Sequence, residues 1–508
     1  MMSKGYFREQ KHYRLHEIAR ELGIAVKEAQ QLAGTLKRYG IVKTVRETQP
    51  EYGDLPARDI VLMDAAQPQD GMEYLFDFVG VALVEETAFY CYPKYIASEK
   101  KPVRQLKQVM RVLKKYQEKE QRLFLQGSGG TKQWNSLAAA LWFLEDYFQY
   151  GLYANQQEML ECNGEGEILW DKTIHEMPVL IQDSRPYYMQ LYTRKSVENE
   201  MDYFGRLHAC ILTRCTARLE QSGILELFDL PGAELSRERL ESFGDTDAVL
   251  YRLEQELQVQ YVTRKQELLK SIYAYLEQEQ AGEREQDFCF YGTGCFYDVW
   301  EKVCAYCFGN VLHKKLKELP GGAAGAFAER KEEKLIQMIE RPVWREKASG
   351  MADGTADTLR PDMVCIYPHG TDGEYCFGIY DAKYYCVDFK GKEDGCRVTG
   401  QPGIGDVTKQ YLYELAYADF MAAQGYAYVQ NLFLCPAEEA QPEYGSVKLE
   451  MMHRLGSGLG EIAAVRLCAA QMYARYLADE QIANPLDFLP DTARRRIHEK
   501  EGVFAWTH

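Results

Sequence analysis

Two fragments in the last third of the chain carry the residue types of a hydrolytic centre: Arg360-Pro361-Asp362 and, after a short gap, Ile379-Tyr380-Asp381-Ala382-Lys383-Tyr384-Tyr385. Two carboxylates and a lysine delivered from neighbouring strands can hold a hard divalent cation and set a water against a phosphodiester. Strand periodicity puts Asp381 and Lys383 on one face and turns Ala382 away, leaving its carbonyl free to complete a coordination sphere. Phosphodiester cleavage needs neutralised nonbridging oxygens, an activated water and a stabilised leaving oxygen, all of which Mg²⁺ on Asp362 and Asp381 can assist, with Mn²⁺ as a substitute. Lys383 would orient or help deprotonate the water, or offset charge in the transition state. An isolated Asp-x-Lys is common on surface strands. What gives this one specificity is the apolar strand before it and the Pro-Asp that ends a neighbouring loop.

The flanking elements follow an order that could position these groups. Residues 296–304 read as a helix with Phe296, Val299, Trp300 and Val303 on one face, which leaves Glu301 beside the apolar stripe as a candidate third acidic ligand. Residues 362–367 and 375–380 read as strands, 405–423 as a helix and 428–434 as a third strand. Helix, strand, strand, helix, strand describes a mixed sheet with helical cover. The second helix carries Lys409 and Gln410, placed to steady a metal site or contact the scissile phosphate. Tyr384 and Tyr385 are read as packing residues.

At the other end, Leu15, Ile18, Ala19 and Leu22 recur at helical spacing, Gly23 breaks the run, and a second segment from Val26 to Tyr39 stops at Gly40 before 41–45. Helix, turn, helix, strand is the order of a winged helix-turn-helix unit. Its second helix would offer Lys27, Gln30, Gln31, Lys37 and Arg38 to double-stranded DNA, although such small units also bind proteins. Short β runs follow at 60–63, 76–84 and 88–92, then a charged helix at 103–122 and an apolar one at 134–149. Two more helical stretches come later, the last expected from about 247 to 279 with a stripe suited to packing along another helix or to a long arm between domains. The polar stretch around residue 282 is the expected main boundary.

A chain of 508 residues exceeds what one core usually serves, so several domains are expected. The segments read as 1–58, winged helix-turn-helix-like; 59–160, a small sheet plus helices; 161–283, a middle domain with long helices; and 284–508, the segment with the carboxylates. The formal net charge of −16 argues against nucleic acid only if it is spread evenly. Residues 1–130 hold 21 Lys+Arg against 17 Asp+Glu, net +4, so the basic surplus lies at the N-terminus. No run approaches the roughly 18 apolar residues of a membrane span, and no apolar run follows Met1–Arg8 as in a secretory signal, so a cytoplasmic location without a membrane partner is expected. The 14 cysteines are scattered, as suits reduced thiols, and Cys304 with Cys307 lacks a second pair at zinc-ligand spacing. Gly127-Ser128-Gly129-Gly130 lacks the spacing of a phosphate-binding loop, and no other segment supplies one, so the chain is not expected to bind nucleotide itself.

Asp362, the run 380–385 and Asp406-Val407-Thr408-Lys409-Gln410-Tyr411 together resemble the PD-(D/E)xK nucleases, and more narrowly the LlaJI-type and McrC-like restriction subunits. Weaker support comes from 296–304, Val79-Gly80-Val81, residues 91–96 and 164–174. The resemblance implies an α/β, multi-domain chain whose C-terminal core is restriction-endonuclease-like, with a mixed sheet flanked by helices. It maps metal-binding acids onto Asp362 and Asp381, the lysine onto Lys383 and a helix-borne acid onto Glu301. It also implies a separate AAA+ GTPase motor, McrB-like, that licenses cleavage of invading DNA, with 161–283 as the segment that meets it; pairing of two nuclease subunits is left open. One departure is that Gln410 is followed by Tyr413 and Glu414, so the QxxxY pattern of RecB-like exonucleases is not met. Two other readings stay open: a DNA-binding regulator or scaffold on a nuclease-like fold, and a stand-alone repair nuclease.

Overall fold

The strand Glu374–Ala382 is the axis of the region that carries both fragments. Cys376, Phe377, Ile379 and Tyr380 point to alternate faces yet are all fully buried, as expected where a sheet is covered on both sides. In the computed structural model, which describes every residue except 1, 47–71, 118–123, 127–131, 135, 199–201, 282–287, 348–351, 355–357, 370–372, 393–394, 455–458, 491–493 and 498–508, this strand lies in a six-stranded mixed sheet. Met363–His369 pairs with it antiparallel and Tyr428–Ala437 parallel. Beyond Tyr428–Ala437 lie Ile462–Cys468, parallel, and Gln441–Val447, antiparallel to the latter, while Arg494–Arg496 pairs with residues 428–430. The class is mixed α/β.

One face of this sheet is closed by the helix Ile404–Gln424, which contributes Tyr413, Tyr417, Phe420 and Met421 to a core shared with Val364, Phe377, Ile379 and Val429. Leu312, Leu316, Leu335 and Met338, from a segment of short 3₁₀ turns, complete the same core. Phe296–Cys307 buries Phe296, Val299, Trp300 and Val303, the face expected from their spacing. At Gly378 the sheet requires glycine, since a Cβ there would lie 2.4 Å from the Tyr380 ring.

The chain divides into two compact units, residues 123–290 in one and residues 3–122 with 291–508 in the other. Residues 3–122 therefore share a unit with the six-stranded sheet. Within that unit Ser3–Arg8, which the sequence reading did not single out as a strand, runs parallel to Thr87–Tyr92, which in turn pairs antiparallel with Val79–Val84. The expected single run 76–84 is two strands. Met72–Phe76 joins Val42–Arg46 and His12–Arg14 in a separate three-stranded sheet, because Asp77 and Phe78 interrupt the ladder. Leu15–Leu22 and Val26–Arg38 are helices, the first closed by Gly23 at φ 69°. The expected strand 60–63, the glycine loop 127–130 and most of the polar stretch near 282 lie outside the described residues.

In the other unit the expected long helix is two helices, Thr246–Val259 and Thr263–Ala281. The Gln260 side chain accepts the Val262 N–H at 3.1 Å, and the chain reverses there. Tyr273 then reaches Glu254 and Gln280 reaches Asp247, the pattern of an antiparallel pair, so the stripe packs against its own second half. No described helix is long and apolar enough to cross a membrane.

Candidate active site

The register sets the geometry. Met363 pairs with Tyr380, so one step further the antiparallel ladder brings Asp362 opposite Asp381. Asp362 Oδ2 accepts the Ala382 N–H at 3.0 Å, which ties the loop carboxylate to the neighbouring strand. Asn310 fixes the same turn. Its Nδ2 donates to the Asp362 carbonyl at 3.2 Å, and its Oδ1 accepts the Val364 N–H at 3.1 Å. The Tyr413 hydroxyl donates to the Arg360 carbonyl at 2.8 Å. Four consecutive polar contacts thus fix where Asp362 stands before any ligand arrives.

Asp381 is only 4% exposed. Burial, and then the carboxylate of Asp362 beside it, push its acid group well above the usual range, against the opposing charge of Lys383. Lys383 Nζ lies 3.0 Å from Asp381 Oδ1 and 3.2 Å from Asp406 Oδ1. Asp381 Oδ1 is sealed from solvent and, with Lys383 as its charged neighbour, has no well-formed hydrogen bond among the described residues. Burial disfavours the Lys383 ammonium, yet Asp381, Asp362 and Asp406 outweigh it and hold the lysine charged. Two apposed carboxylates with an orphaned buried oxygen suit a divalent cation, which would relieve both their repulsion and the unmet acceptor.

Glu301, on the helix Phe296–Cys307, is half-buried and pushed up to about 7, first by burial and then by the charges of Asp362 and Asp298. It is near enough to feel Asp362. Among the described residues, however, no three His, Cys, Asp or Glu side chains are gathered as a metal-ligand group. The helix itself is anchored by Trp300, whose Nε1 donates to the Leu434 carbonyl at 3.0 Å; the Lys383 N–H donates to the same oxygen, also at 3.0 Å.

The remaining expected residues are placed elsewhere. Lys409 is exposed. Gln410 is fully buried, donating Nε2 to the Leu432 carbonyl at 3.0 Å, so it fastens helix to strand and is shut off from a phosphate. Lys27, Gln31 and Arg38 are exposed and Gln30 and Lys37 half-exposed, on the side of Val26–Arg38 opposite the buried Ala29, Leu32, Ala33 and Leu36. Asp406, Asn310, Trp300 and Tyr413 were not picked out as site residues. For Asp406 a signal existed, since it stands in the first turn of a helix that follows the lysine. Asn310 gives none, because its role depends on a contact 52 residues away.

Comparison with known proteins places the chain among restriction endonucleases. Residues 78–472 match the model of the LlaJI restriction endonuclease family, and the chain belongs to that family. It is similar to the type II restriction enzyme BsuMI component YdjA of Bacillus subtilis (strain 168), 24% identical over 455 residues that span 87% of this chain and 88% of the relative. Two solved structures are also similar. One is a half-complex from a tetradecameric assembly of Thermococcus gammatolerans McrB AAA+ hexamers with bound McrC, at 13% identity, covering 94% of this chain and 100% of that one, with TM-score 0.38. The other is the Thermococcus gammatolerans McrBC complex, at 12% identity, 54% of this chain and 80% of that one, with TM-score 0.22.

Proposed function

We propose that this chain is the Mg²⁺-dependent DNA endonuclease subunit of a restriction system, on a PD-(D/E)xK-type core within 284–508, and that a separate AAA+ GTPase licenses its cutting. The observation that carries the reading is the Asp362–Asp381 pair with its orphaned Oδ1 and the charged Lys383 beside it. Family membership supplies the substrate class, and the relative YdjA, a component of a restriction enzyme, fits a multi-subunit arrangement.

Asp362, Asp381 and the Ala382 carbonyl would hold the ion, with Glu301 as a candidate further acid. Bound there, Mg²⁺ supplies Lewis-acid stabilisation of phosphoryl charge and a lowered pKa for water. Lys383, kept protonated by three carboxylates, acts as a fixed positive charge facing the phosphodiester rather than as the base that deprotonates water. Glu301, which titrates near neutrality, is the group suited to take the proton of a water.

The motor reading has support in the residues 161–283. Val179–Gln182 and Arg185–Tyr188 form a hairpin whose turn residues Asp183 and Ser184 both have positive φ, as a tight two-residue turn requires. Leu180 is 58% exposed, Ile181 75% and the following Met189 72%, an apolar surface suited to a protein partner. The helix Val26–Arg38 is the proposed DNA contact of a winged helix-turn-helix unit.

The test is cleavage of duplex DNA by the full chain with a McrB-like AAA+ GTPase from the same organism, GTP and Mg²⁺. Asp381→Ala abolishes cutting while complex assembly and DNA binding stay near wild type. Retained cutting by that variant would sink the site, and loss of GTP dependence would sink the motor. Ile181→Asp breaks copurification with the motor and leaves the chain folded.

A further inference from the structure

The segment 310–347, between the helix that bears Glu301 and the strand that follows Asp362, runs against the charge of the chain. It holds nine Lys+Arg and six Asp+Glu, net +3, in a protein of net −16. Its core side is apolar and firmly seated, with Leu312, Leu316, Leu335, Met338 and Ile339 packed against Val364, Phe377, Tyr417 and Phe420. One backbone bond ties it to the sheet, the Val311 N–H to the Val364 carbonyl at 2.8 Å, and another closes it on itself, the Leu335 N–H to the Lys314 carbonyl at 3.0 Å. Its acids are partly consumed within the segment: Glu332 is paired by both Lys315 and Lys317, and Glu333 by Arg330. Lys314, Lys331, Lys334, Arg341, Arg345 and Lys347 are exposed.

The segment ends in an exposed strand, Val343–Arg345, paired with Ala352–Gly354. Trp344 is 73% exposed and Val343 65%, whereas Trp300 of the same unit is fully buried. Trp344 stands between Arg341 and Arg345 in the sequence, and strand alternation sends its indole to the face opposite Arg345. The base of this hairpin is closed by Thr358, whose hydroxyl donates to the Glu340 carbonyl at 2.6 Å. Two residues later comes Arg360, exposed and 3.4 Å from His313 Nε2, and then Asp362. Four residues on each side of that closure, at no more than about 3.6 Å each, with the closure itself between them, keep Trp344 within roughly 35 Å of Asp362. That is about one turn of duplex DNA.

We propose that 310–347 with Trp344 is a duplex-gripping surface beside the scissile site, Arg341 and Arg345 meeting phosphates and the indole inserting at a groove or base step. It rests on the nuclease reading and is separate from the helix Val26–Arg38. A protein partner for the same hairpin is the competing occupant. The net positive charge of the segment and its short chain distance from the phosphodiester site favour DNA.

The experiment is fluorescence anisotropy of a labelled 40-base-pair duplex titrated with the full chain in EDTA, so that binding is read without cutting. Arg341→Ser with Arg345→Ser lowers the slope of log affinity against log salt by about 2, near 0.9 for each lost phosphate contact. Trp344→Ala weakens binding about fivefold or more, and Trp344→Phe recovers most of it. All these side chains are exposed, so unchanged thermal melting excludes misfolding. Unchanged affinity and slope overturn the proposal, as does a wild-type chain that does not bind the duplex. Intact DNA binding with lost association to the motor also overturns it, and assigns the hairpin to a protein partner. If Asp381→Ala abolishes cutting while the hairpin variants bind normally, this surface falls and the nuclease reading stands; if Asp381→Ala still cuts while they lose affinity, the reverse holds.

Discussion

The Tyr384 hydroxyl donates to the Glu9 carboxylate across 375 residues of chain, directly behind the strand end that presents Lys383. Glu9 also accepts the Lys94 N–H at 3.2 Å, and Lys94 Nζ sits 4.6 Å from the centre of the Tyr384 ring. Glu9 precedes the residues 78–472 that match the family, yet it is bonded to Tyr384, the residue after Lys383. The N-terminal strand is therefore part of what holds 383–385 in place.

Burial raises Glu9 from the usual 4.5 to about 7, with Tyr384 and Lys94 opposing. Between those values the folded chain keeps a proton that the unfolded chain has lost, so stability falls as pH rises from about 4.5 to 7 and is flat above. The full loss is about 3 kcal/mol at 1.36 kcal/mol per pKa unit. Melting temperatures from pH 5 to 8 should fall in the wild type relative to Glu9→Gln, which has no proton to lose. Parallel curves for the two proteins would refute the assignment.

Lys383 is held charged by Asp381, Asp362 and Asp406. Activity therefore shows no falling limb from lysine deprotonation in the alkaline range. Lys383→Gln lowers the single-turnover cleavage rate by about 10²–10³, the usual cost of removing one preorganised charge or donor, while Lys383→Arg keeps part of the activity. Asp406→Asn removes one of the three carboxylates and lowers the pKa of the lysine. A rate that falls at alkaline pH in Asp406→Asn but stays level there in the wild type is the signature sought.

How much of this was legible beforehand follows from the range of each interaction. The order helix, strand, strand, helix, strand around Asp362 and Asp381 could be read because periodicity and turn residues act within a few positions. The split of 76–84 into strands of two sheets, and the reversal at Gln260, depend on which partner each half meets. Periodicity does not report that. Gln410 illustrates the same limit within the site: a polar residue next to Lys409 reads as solvent-facing, whereas the helix rotation set by Val407, Tyr411 and Glu414 turns it inward. Asn310 and Glu9 act through contacts 52 and 375 residues away, and no local pattern marks them.

Trp300 and Lys383 share the Leu434 carbonyl, so the indole fixes the backbone from which the lysine projects. Trp300→Phe removes one hydrogen bond, about 1 kcal/mol, and leaves a small cavity at a fully buried site, about another 1–2 kcal/mol. Chemical denaturation measures that loss. Because the Lys383 N–H keeps its acceptor, the variant should still cut at a reduced rate with little change in DNA affinity. Equal losses in both would show that Trp300 only supports the fold.

Glu301 supplies the acid limb of the pH profile. With burial and then Asp362 and Asp298 raising it to about 7, its carboxyl is protonated below neutrality and can neither accept a proton from water nor ligate a cation. Cleavage rate should therefore rise with pH through about 7 and level off above it. Positive charge bound between Asp362 and Asp381 would favour the carboxylate form and draw the midpoint below 7, so raising Mg²⁺ concentration should shift the limb to lower pH. Glu301→Gln should flatten the limb at a reduced rate. If the limb survives that substitution unchanged, the titrating group is another, and Glu301 is only the rim of its helix.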